Sequence, residues 1–375
     1  MMNYYMPTKV VGGENCIIEN APLFKELGKR ALIVTGRNSA KKNGSYDDVV
    51  KALEANGQAY TLFDQVMANP TTACAFDAAV IARRDACDFV IALGGGSPMD
   101  LGKAAAALAV NPISAAALFT TPIDKALPVA AVPTTAGTGS EVTQYAVLTN
   151  DAIQSKSSLS APALFPRIAF LDARYLLTLS RSTIINTALD ALSHAVEGML
   201  GVRASAFTDA AAKSGVRAFA ECLPALKSGS LDDPAVREKL LFAAALDGMV
   251  IANTGTIVVH AMGYSLTYFR DVDHGRANGL LLGAYLRVVQ RKEKAVGMNR
   301  VEEILDALGM ESLDEFDAVV DELLGERETF TAAEIEQYAE TAIHAKHIAN
   351  SAIRPDKADL IKVLTKSLGT IEIVR

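Results

Sequence analysis

CDFVIALGGGSPMDLGKAAAALAV, residues 87–110, decides the fold. Cys87 to Gly94 is a short, almost wholly apolar run, the composition of a strand buried on both faces. Gly94, Gly95 and Gly96 follow, and glycine permits positive φ and close approach of the backbone to a ligand. The alanine-rich stretch from Leu101 to Val110 then reads as a helix. Ser97 is expected to cap it, with Pro98 at the first helical position. Strand, glycine turn and helix in this order expose backbone N–H groups at the positive end of a helix dipole, which suits a phosphate. The turn is neither the GxGxxG dinucleotide fingerprint nor a Walker loop, so a plain tight turn is the alternative.

Outward from this unit the same alternation continues. Arg30-ALIVTG-Arg37, Tyr60–Val66 and Pro128-VAAVPTT-Ala136 read as strands, and Asp47–Asn56 and Thr72–Asp85 as helices. Alternation of this kind implies a parallel sheet with helices on both faces. From about Ser182 the apolar residues recur at helical spacing and strand signals largely vanish, with breaks near Gly201, Ser228–Pro234, Asp271–Gly275 and Gly309. The expectation is a two-domain α/β plus all-α chain, with a Rossmann-like parallel sheet over 1–180 and a helical bundle over 181–375. Leu240–Leu266 is long and apolar with Asp247 as its only charge, and length alone permits a membrane span. Asn253, Thr254 and Gly255 interrupt it, so it reads as two buried helices of a soluble bundle.

The chain has 375 residues, half of them hydrophobic, and a formal net charge of -7, which indicates an ordered globular protein and argues against nucleic-acid binding. The start, MMNYYMPTKVVGG, lacks the basic and apolar regions of a signal peptide. Cys16, Cys74, Cys87 and Cys222 show no CxxC spacing and read as reduced thiols of a cytoplasmic protein.

Three further motifs carry chemistry. PTTAGTGSEVT, residues 133–143, follows a buried strand and offers the hydroxyls of Thr134, Thr135, Thr138 and Ser140 between glycines. Two such loops at strand ends favour a nucleotide crevice over two ordinary turns. TGRNSAKKNG, residues 35–44, places Gly36 where an NAD binder often carries an acid, followed by Arg37, Asn38, Ser39, Lys41 and Lys42. A small neutral residue and then basic ones suit the 2′-phosphate of NADP, with a solvated basic loop as the alternative. Finally, Asp190 and His194 in ALDALSHAVEG lie four apart on one helix face. With His260 in GTIVVHAMGY and His274 in DHGRANG they make a plausible divalent-metal site of one oxygen and up to three nitrogens. The alternative is that each is a buried, hydrogen-bonded core group.

Read together, VGGENCI, GGGSPMDLGKAAA, VPTTAGTGSEVT, FLDARY, TALDALSHAVEG, the His260 segment and HGRANGLLLG resemble the iron-containing (group III) alcohol dehydrogenase family, with the dehydroquinate synthase-like fold. The resemblance spans nearly the whole chain. It implies Asp190, His194, His260 and His274 as ligands of Fe(II), or alternatively Zn. It implies a nicotinamide cofactor held by Gly94, Gly95, Gly96, Ser97, Asp100 and the 134–140 loop, with GRNSAKKNG similar to the NADP-using branch and NAD as the alternative. One departure matters: many members carry a second histidine four residues beyond the third ligand, and here Tyr264 stands there. Tyrosine, with a pKa of roughly 10, is a poor base near neutrality, so Tyr264 enters only as a candidate catalytic group.

The function so implied is hydride transfer between NAD(P)(H) and a small primary alcohol or aldehyde, in a homodimer or larger homo-oligomer without nucleic-acid or membrane partners. Rivals are a glycerol dehydrogenase-like or dehydroquinate synthase-like enzyme on the same fold, and a non-catalytic nucleotide-binding protein. The synthase needs a cationic cluster for its phosphorylated substrate, for which only Arg270 and Arg276 offer themselves. His344 and His347 read as surface or packing residues, not ligands.

Overall fold

The computed structural model describes residues 4–114 and 117–371. The chain forms two compact units, one of Tyr5–Leu179 and one running from Ser180 onward.

In the first unit the strands are β1 (Lys9–Gly12), β2 (Arg30–Gly36), β3 (Ala59–Val66), β4 (Phe89–Gly94), β5 (Val129–Pro133), the hairpin β6 (Tyr145–Asn150) and β7 (Ser155–Ser160), and β8 (Ile168–Leu171). Six of them form a parallel sheet in the order β1-β8-β5-β4-β2-β3; β6 and β7 pair antiparallel apart from it. The helices are α1 (Cys16–Glu19), α2 (Ser39–Lys42), α3 (Ser45–Asn56), α4 (Thr72–Arg84) and α5 (Gly96–Val110). The strand residues are apolar on both faces because both faces are covered. Ala31, Ile33, Phe89, Ile91, Leu93, Ala130 and Val132 pack with Val49, Ala52 and Leu53 of α3. Val90 and Ala92, on the opposite face, meet α5 at Gly102, where a Cβ would lie 2.8 Å from that of Ala92. The edge strand β1 and its neighbour β8 were not legible in the sequence, because four residues are too few to show a period.

This topology positions three loops. Thr35 pairs with Leu93, and Gly94 with Pro133, so β2, β4 and β5 end at one level. From β2 the chain runs outward to β3, whereas from β4 it runs the other way to β5 and β8. Strand order therefore reverses between β2 and β4, the switch point at which open parallel sheets bind ligands.

The second unit holds α6 (Arg181–Met199), α7 (Ala206–Ser228), α8 (Pro234–Thr254), α9 (Val258–Arg270), α10 (His274–Glu293), α11 (Arg300–Leu308), α12 (Leu313–Leu324), α13 (Ala332–Ile343) and α14 (Lys357–Ser367). Its only strands among the described residues are the short parallel pair β9 (Thr329–Thr331) and β10 (Gly369–Ile371). The apolar 240–266 stretch is two helices, α8 and α9, bent by 109° at a break that includes Gly255. No single helix among the described residues is long and apolar enough to cross a membrane.

The packing of α10 on α6 is close. A Cβ on Gly275 would lie 2.0 Å from the Asn186 carbonyl oxygen, and one on Gly279 2.9 Å from Leu189 Cδ1. The two glycines are one turn apart on α10 and their neighbours lie on one side of α6, so α10 meets the α6 backbone at Gly275 and the Leu189 side chain at Gly279. Gly275→Ala is expected to destabilise the protein by about 1–3 kcal/mol through overpacking against rigid backbone. Gly12→Ala, whose Cβ would meet nothing nearer than 3.8 Å, is expected to change stability by less than about 0.5 kcal/mol. Urea denaturation of both variants checks this; equal effects would contradict it.

Candidate functional site

Asp190, His194 and Glu197 occupy one face of α6, at spacings of four and three residues. Ser180 caps this helix by accepting from the Thr183 N–H, and every residue from Ala188 to Met199 is buried. His260 is the third residue of α9 and His274 the first of α10. The close approach at Gly275 sets His274 beside Asp190.

The four predicted metal-ligating side chains converge. Asp190 Oδ1 lies 3.8 Å from His260 Nε2, 3.8 Å from His274 Nε2 and 4.0 Å from His194 Nε2. His194 Nε2 and His260 Nε2 are 3.0 Å apart, their rings stacked at 4.8 Å. Asp190, His260 and His274 each offer one donor atom within 4.8 Å of the others, and His194 joins from the side of His260. Nitrogen and oxygen ligands around a tetrahedral cation at 2.0–2.1 Å stand about 3.4 Å from one another, so the set has the dimensions of a transition-metal site. Burial pushes the Asp190 carboxyl up, but the neighbouring imidazoles and the Asn278 amide outweigh it and hold the group below its ordinary range.

Two residues of this site were not recognised in the sequence. Asn278, one turn beyond His274, donates to Asp190 Oδ1 at 2.8 Å and lies 3.2 Å from His260 Nε2 and 3.3 Å from His274 Nε2. Its nitrogen therefore closes one side of the donor set, while its Oδ1 is buried without a hydrogen bond against Gly263, where a Cβ would lie 2.4 Å away. A carboxylate oxygen and two ring nitrogens thus face a common point, the donor set a cation needs. Glu197 reaches His260 from the far side, 2.6 Å from Nδ1. The signal for both was present in the helical spacing: Glu197 follows His194 by three and Asn278 follows His274 by four.

Tyr264, half-buried, stacks on His274 at 5.6 Å and stands edge-on to His260 at 6.4 Å. His347 packs edge-on to Tyr264 at 5.5 Å, and burial pulls its imidazole down to about 4. His344 is exposed and pairs with Glu340. Arg270 pairs with Glu334, and Arg276 with Glu328 and the Leu324 carbonyl.

In the first unit the two glycine loops meet. The Thr134 N–H donates to the Gly94 carbonyl at 2.9 Å, and Cβ atoms on Gly95 and Gly96 would lie 3.2 Å and 2.6 Å from the Thr135 and Thr138 methyls. Helix α5 begins at Gly96 with Gly95 as its N-cap, so the expected cap at Ser97 is corrected. Ser97 is the second helical residue and Pro98 the third, a position whose N–H has no intrahelical partner anyway. Ser140 and Asp100 face each other: the hydroxyl donates to Asp100 Oδ1 at 2.6 Å, and the Val147 N–H donates to Oδ2 at 3.1 Å. Beneath them lies Lys103, also missed in the sequence. Its buried Nζ donates to the Ser140 carbonyl at 2.8 Å and the Thr143 carbonyl at 3.1 Å, stapling the 133–143 loop to α5. Burial, only partly offset by Asp100 and Glu141, pulls its ammonium down to about 8. At the end of β2, Gly36 has room for a Cβ, with Val66 O the nearest atom at 3.4 Å. Asn38 precedes the single turn α2, which Ser39 begins; Arg37, Asn38, Ser39, Lys41 and Lys42 are all exposed. Lys41 is engaged by Asp64 at 2.8 Å.

The sequence matches "Iron-containing alcohol dehydrogenase" over residues 7–173 and the "Fe-containing alcohol dehydrogenase family, C-terminal" over 184–368. The chain belongs to the iron-containing alcohol dehydrogenase family. It is 34% identical over 329 residues to the bifunctional aldehyde-alcohol dehydrogenase of Escherichia coli (strain K12), with 81% of this chain and 37% of that protein covered. The chain thus spans little more than a third of that relative. It is also 34% identical over 290 residues to 1,3-propanediol dehydrogenase of Klebsiella pneumoniae, covering 75% and 74% of the two chains. An iron-containing alcohol dehydrogenase from Thermotoga maritima has a similar structure, with a TM-score of 0.90, 36% identity and coverage of 98% and 99%. A sulfoacetaldehyde reductase from Bifidobacterium kashiwanohense, solved with NAD+, has a TM-score of 0.85 at 26% identity, covering 96% and 97%.

Replacing Lys103 with Met keeps the stem but removes the ammonium donor from the Ser140 and Thr143 carbonyls, at a cost of about 1–3 kcal/mol. The variant is expected to melt lower and to be cleaved faster by protease within 133–143. An unchanged melting temperature and cleavage rate would show that the ammonium does not hold this loop.

Proposed function

We propose that this protein is a metal-dependent alcohol dehydrogenase or aldehyde reductase, moving a hydride between a nicotinamide dinucleotide and a small primary alcohol or aldehyde. The observation that carries the reading is the convergence of Asp190, His194, His260 and His274 within a buried region of a chain of this family. These residues would hold the ion, Fe(II) with Zn as the alternative, and when bound it supplies Lewis acidity that polarises the substrate oxygen. The chain's own groups orient and shield. Asn278 holds the Asp190 carboxylate, and the Tyr264 ring forms an aromatic wall across His274 and His260. Its hydroxyl is our candidate catalytic group, a hydrogen-bond donor beside the quartet.

We assign the dinucleotide to the loops at the switch point of the sheet. Gly94, Gly95, Gly96 and Ser97 receive the pyrophosphate at the start of α5, and Thr134, Thr135 and Thr138 border it. Asp100 and Ser140, bonded to each other, hold the two loops in register. We favour NADP, with NAD as the alternative, on the absence of an acid at Gly36 and the exposed Arg37 and Lys42. Lys41 adds less, because Asp64 already neutralises it. We further propose a homodimer or larger homo-oligomer in the cytoplasm, the compartment that suits four free cysteines. A dehydroquinate synthase-like reaction is disfavoured, since Arg270 and Arg276 are committed to glutamates and carbonyls. A non-catalytic nucleotide-binding role would leave the donor quartet without a purpose.

His260→Ala is expected to lower bound metal in purified protein and to cut turnover with butanal by more than about 100-fold, beyond the range seen for outer-shell losses. Full metal occupancy with wild-type turnover would refute the quartet. Gly36→Asp, for which the backbone has room, is expected to lower kcat/KM for NADPH at least about tenfold relative to NADH, by setting a carboxylate against a 2′-phosphate. A ratio that does not move would show that this loop does not read the phosphate.

A further inference from the structure

Glu197 is wholly buried, yet its carboxylate has four hydrogen-bonding partners. Oε2 accepts from the Ile257 N–H at 3.0 Å and faces His260 Nδ1 at 2.6 Å. Oε1 accepts from the Val259 N–H at 2.6 Å and the His260 N–H at 3.3 Å. No residue of the α9 N-terminus caps it: the N-cap is Ile257, which has no side-chain acceptor. The carboxylate of another helix therefore satisfies the orphan N–H groups of α9 and lies at the positive end of its dipole. The same oxygen that caps Ile257 also takes the ring of His260. A carboxylate beside Nδ1 makes that nitrogen the protonated one, which leaves Nε2 with its lone pair. Nε2 is the atom that faces Asp190 Oδ1 and His194 Nε2.

We infer that Glu197 is the positioning residue of this centre: one carboxylate fixes the first turn of α9 and the rotamer and tautomer of His260, so that Nε2 is presented to a cation before any cation arrives. The inference rests on the reading of the quartet as a metal centre. It also has an electrostatic side. Asp190 and Glu197 contribute two negative charges and three neutral imidazoles none, which balances a divalent ion in a buried site, where an unbalanced charge is costly. Removing the Glu197 charge leaves the loaded centre with a net positive charge and frees the His260 ring to turn.

The test uses cobalt(II) as a spectroscopic probe in the full-length protein, comparing wild type, Glu197→Gln and Glu197→Asp. Gln keeps an acceptor for the α9 N–H groups but loses the charge and the demand for a proton on Nδ1. Asp keeps the charge but withdraws it from the ring. Both are expected to bind cobalt(II) about 10- to 100-fold more weakly by chelator competition, as outer-shell losses do, and to show altered visible absorption of the bound ion. The metal-free variants should keep the wild-type far-ultraviolet circular dichroism. Should one variant fail to fold, the other decides. A residue that only caps α9 would lower the melting temperature yet leave cobalt(II) affinity within twofold and the spectrum unchanged, and that result would overturn the inference. A wild-type protein that binds no cobalt(II) at all would instead overturn the metal-centre reading beneath it.

Discussion

A carboxylate and three imidazoles inside a helical core are costly to desolvate, and the second unit is arranged around offsetting that cost. Asp190 is nearly inaccessible, as are His194 and His260. Each must find partners among its own kind or from neighbouring helices. The solution uses three helix segments whose ends or faces meet: the middle of α6, the first turn of α9 and the first turn of α10. Segments can meet so closely only where side chains are absent, which is why Gly275 and Gly279 lie against α6 and Gly263 against Asn278. Replace that small-residue seam with alanines and the donors separate, whatever their own chemistry.

The first unit meets the same constraint with opposite charge. Its two glycine loops are irregular backbone at the ends of the fully buried strands β4 and β5, so their buried carbonyls need donors that water cannot supply. Lys103 provides them from below, on the inward face of α5, and Asp100 provides the matching acceptor for Ser140 and Val147. In both units a buried charged side chain thus organises backbone around a site without facing the site itself. Groups of this kind look wasteful if judged by burial alone and become intelligible once the backbone N–H and carbonyl groups they serve are counted.

That distinction also separates what the sequence made legible from what it did not. The parallel sheet was readable because VIALG and its counterparts are apolar on both faces, and the helical unit because its apolar residues recur at 3.6. The quartet was approachable because Asp190 and His194 share a helix face; His260 and His274 come from other segments, and only tertiary packing unites them. Glu197 and Asn278 stand at helical spacing from two of those ligands, yet a glutamate or asparagine on a helix ordinarily faces solvent, so spacing alone could not single them out. Lys103 was invisible for the same reason: a lysine is rarely buried, and nothing local announces that this one lies beneath a loop forty residues further on. The cap on α5 was misplaced because Ser97 satisfies the usual preference at an N-cap, whereas the conformation of Gly95 and the packing of Thr138 over Gly96 start the helix earlier.

The accounting of donors constrains what the metal-side groups can do beyond holding an ion. Nδ1 of His260 is committed to Glu197, and its Nε2 faces the donor set, so this ring has no nitrogen left to carry a proton to or from solvent. The imidazole of His347, pulled down to about 4 chiefly by burial, stays neutral through the physiological range. Around neutral pH His347 therefore adds no charge beside the quartet. The charged groups there are Asp190 and Glu197, whose negative sign complements a divalent ion. The centre is accordingly built to fix charge at one point and to keep its surroundings neutral, which is the electrostatic arrangement that strengthens polarisation of a small uncharged substrate oxygen.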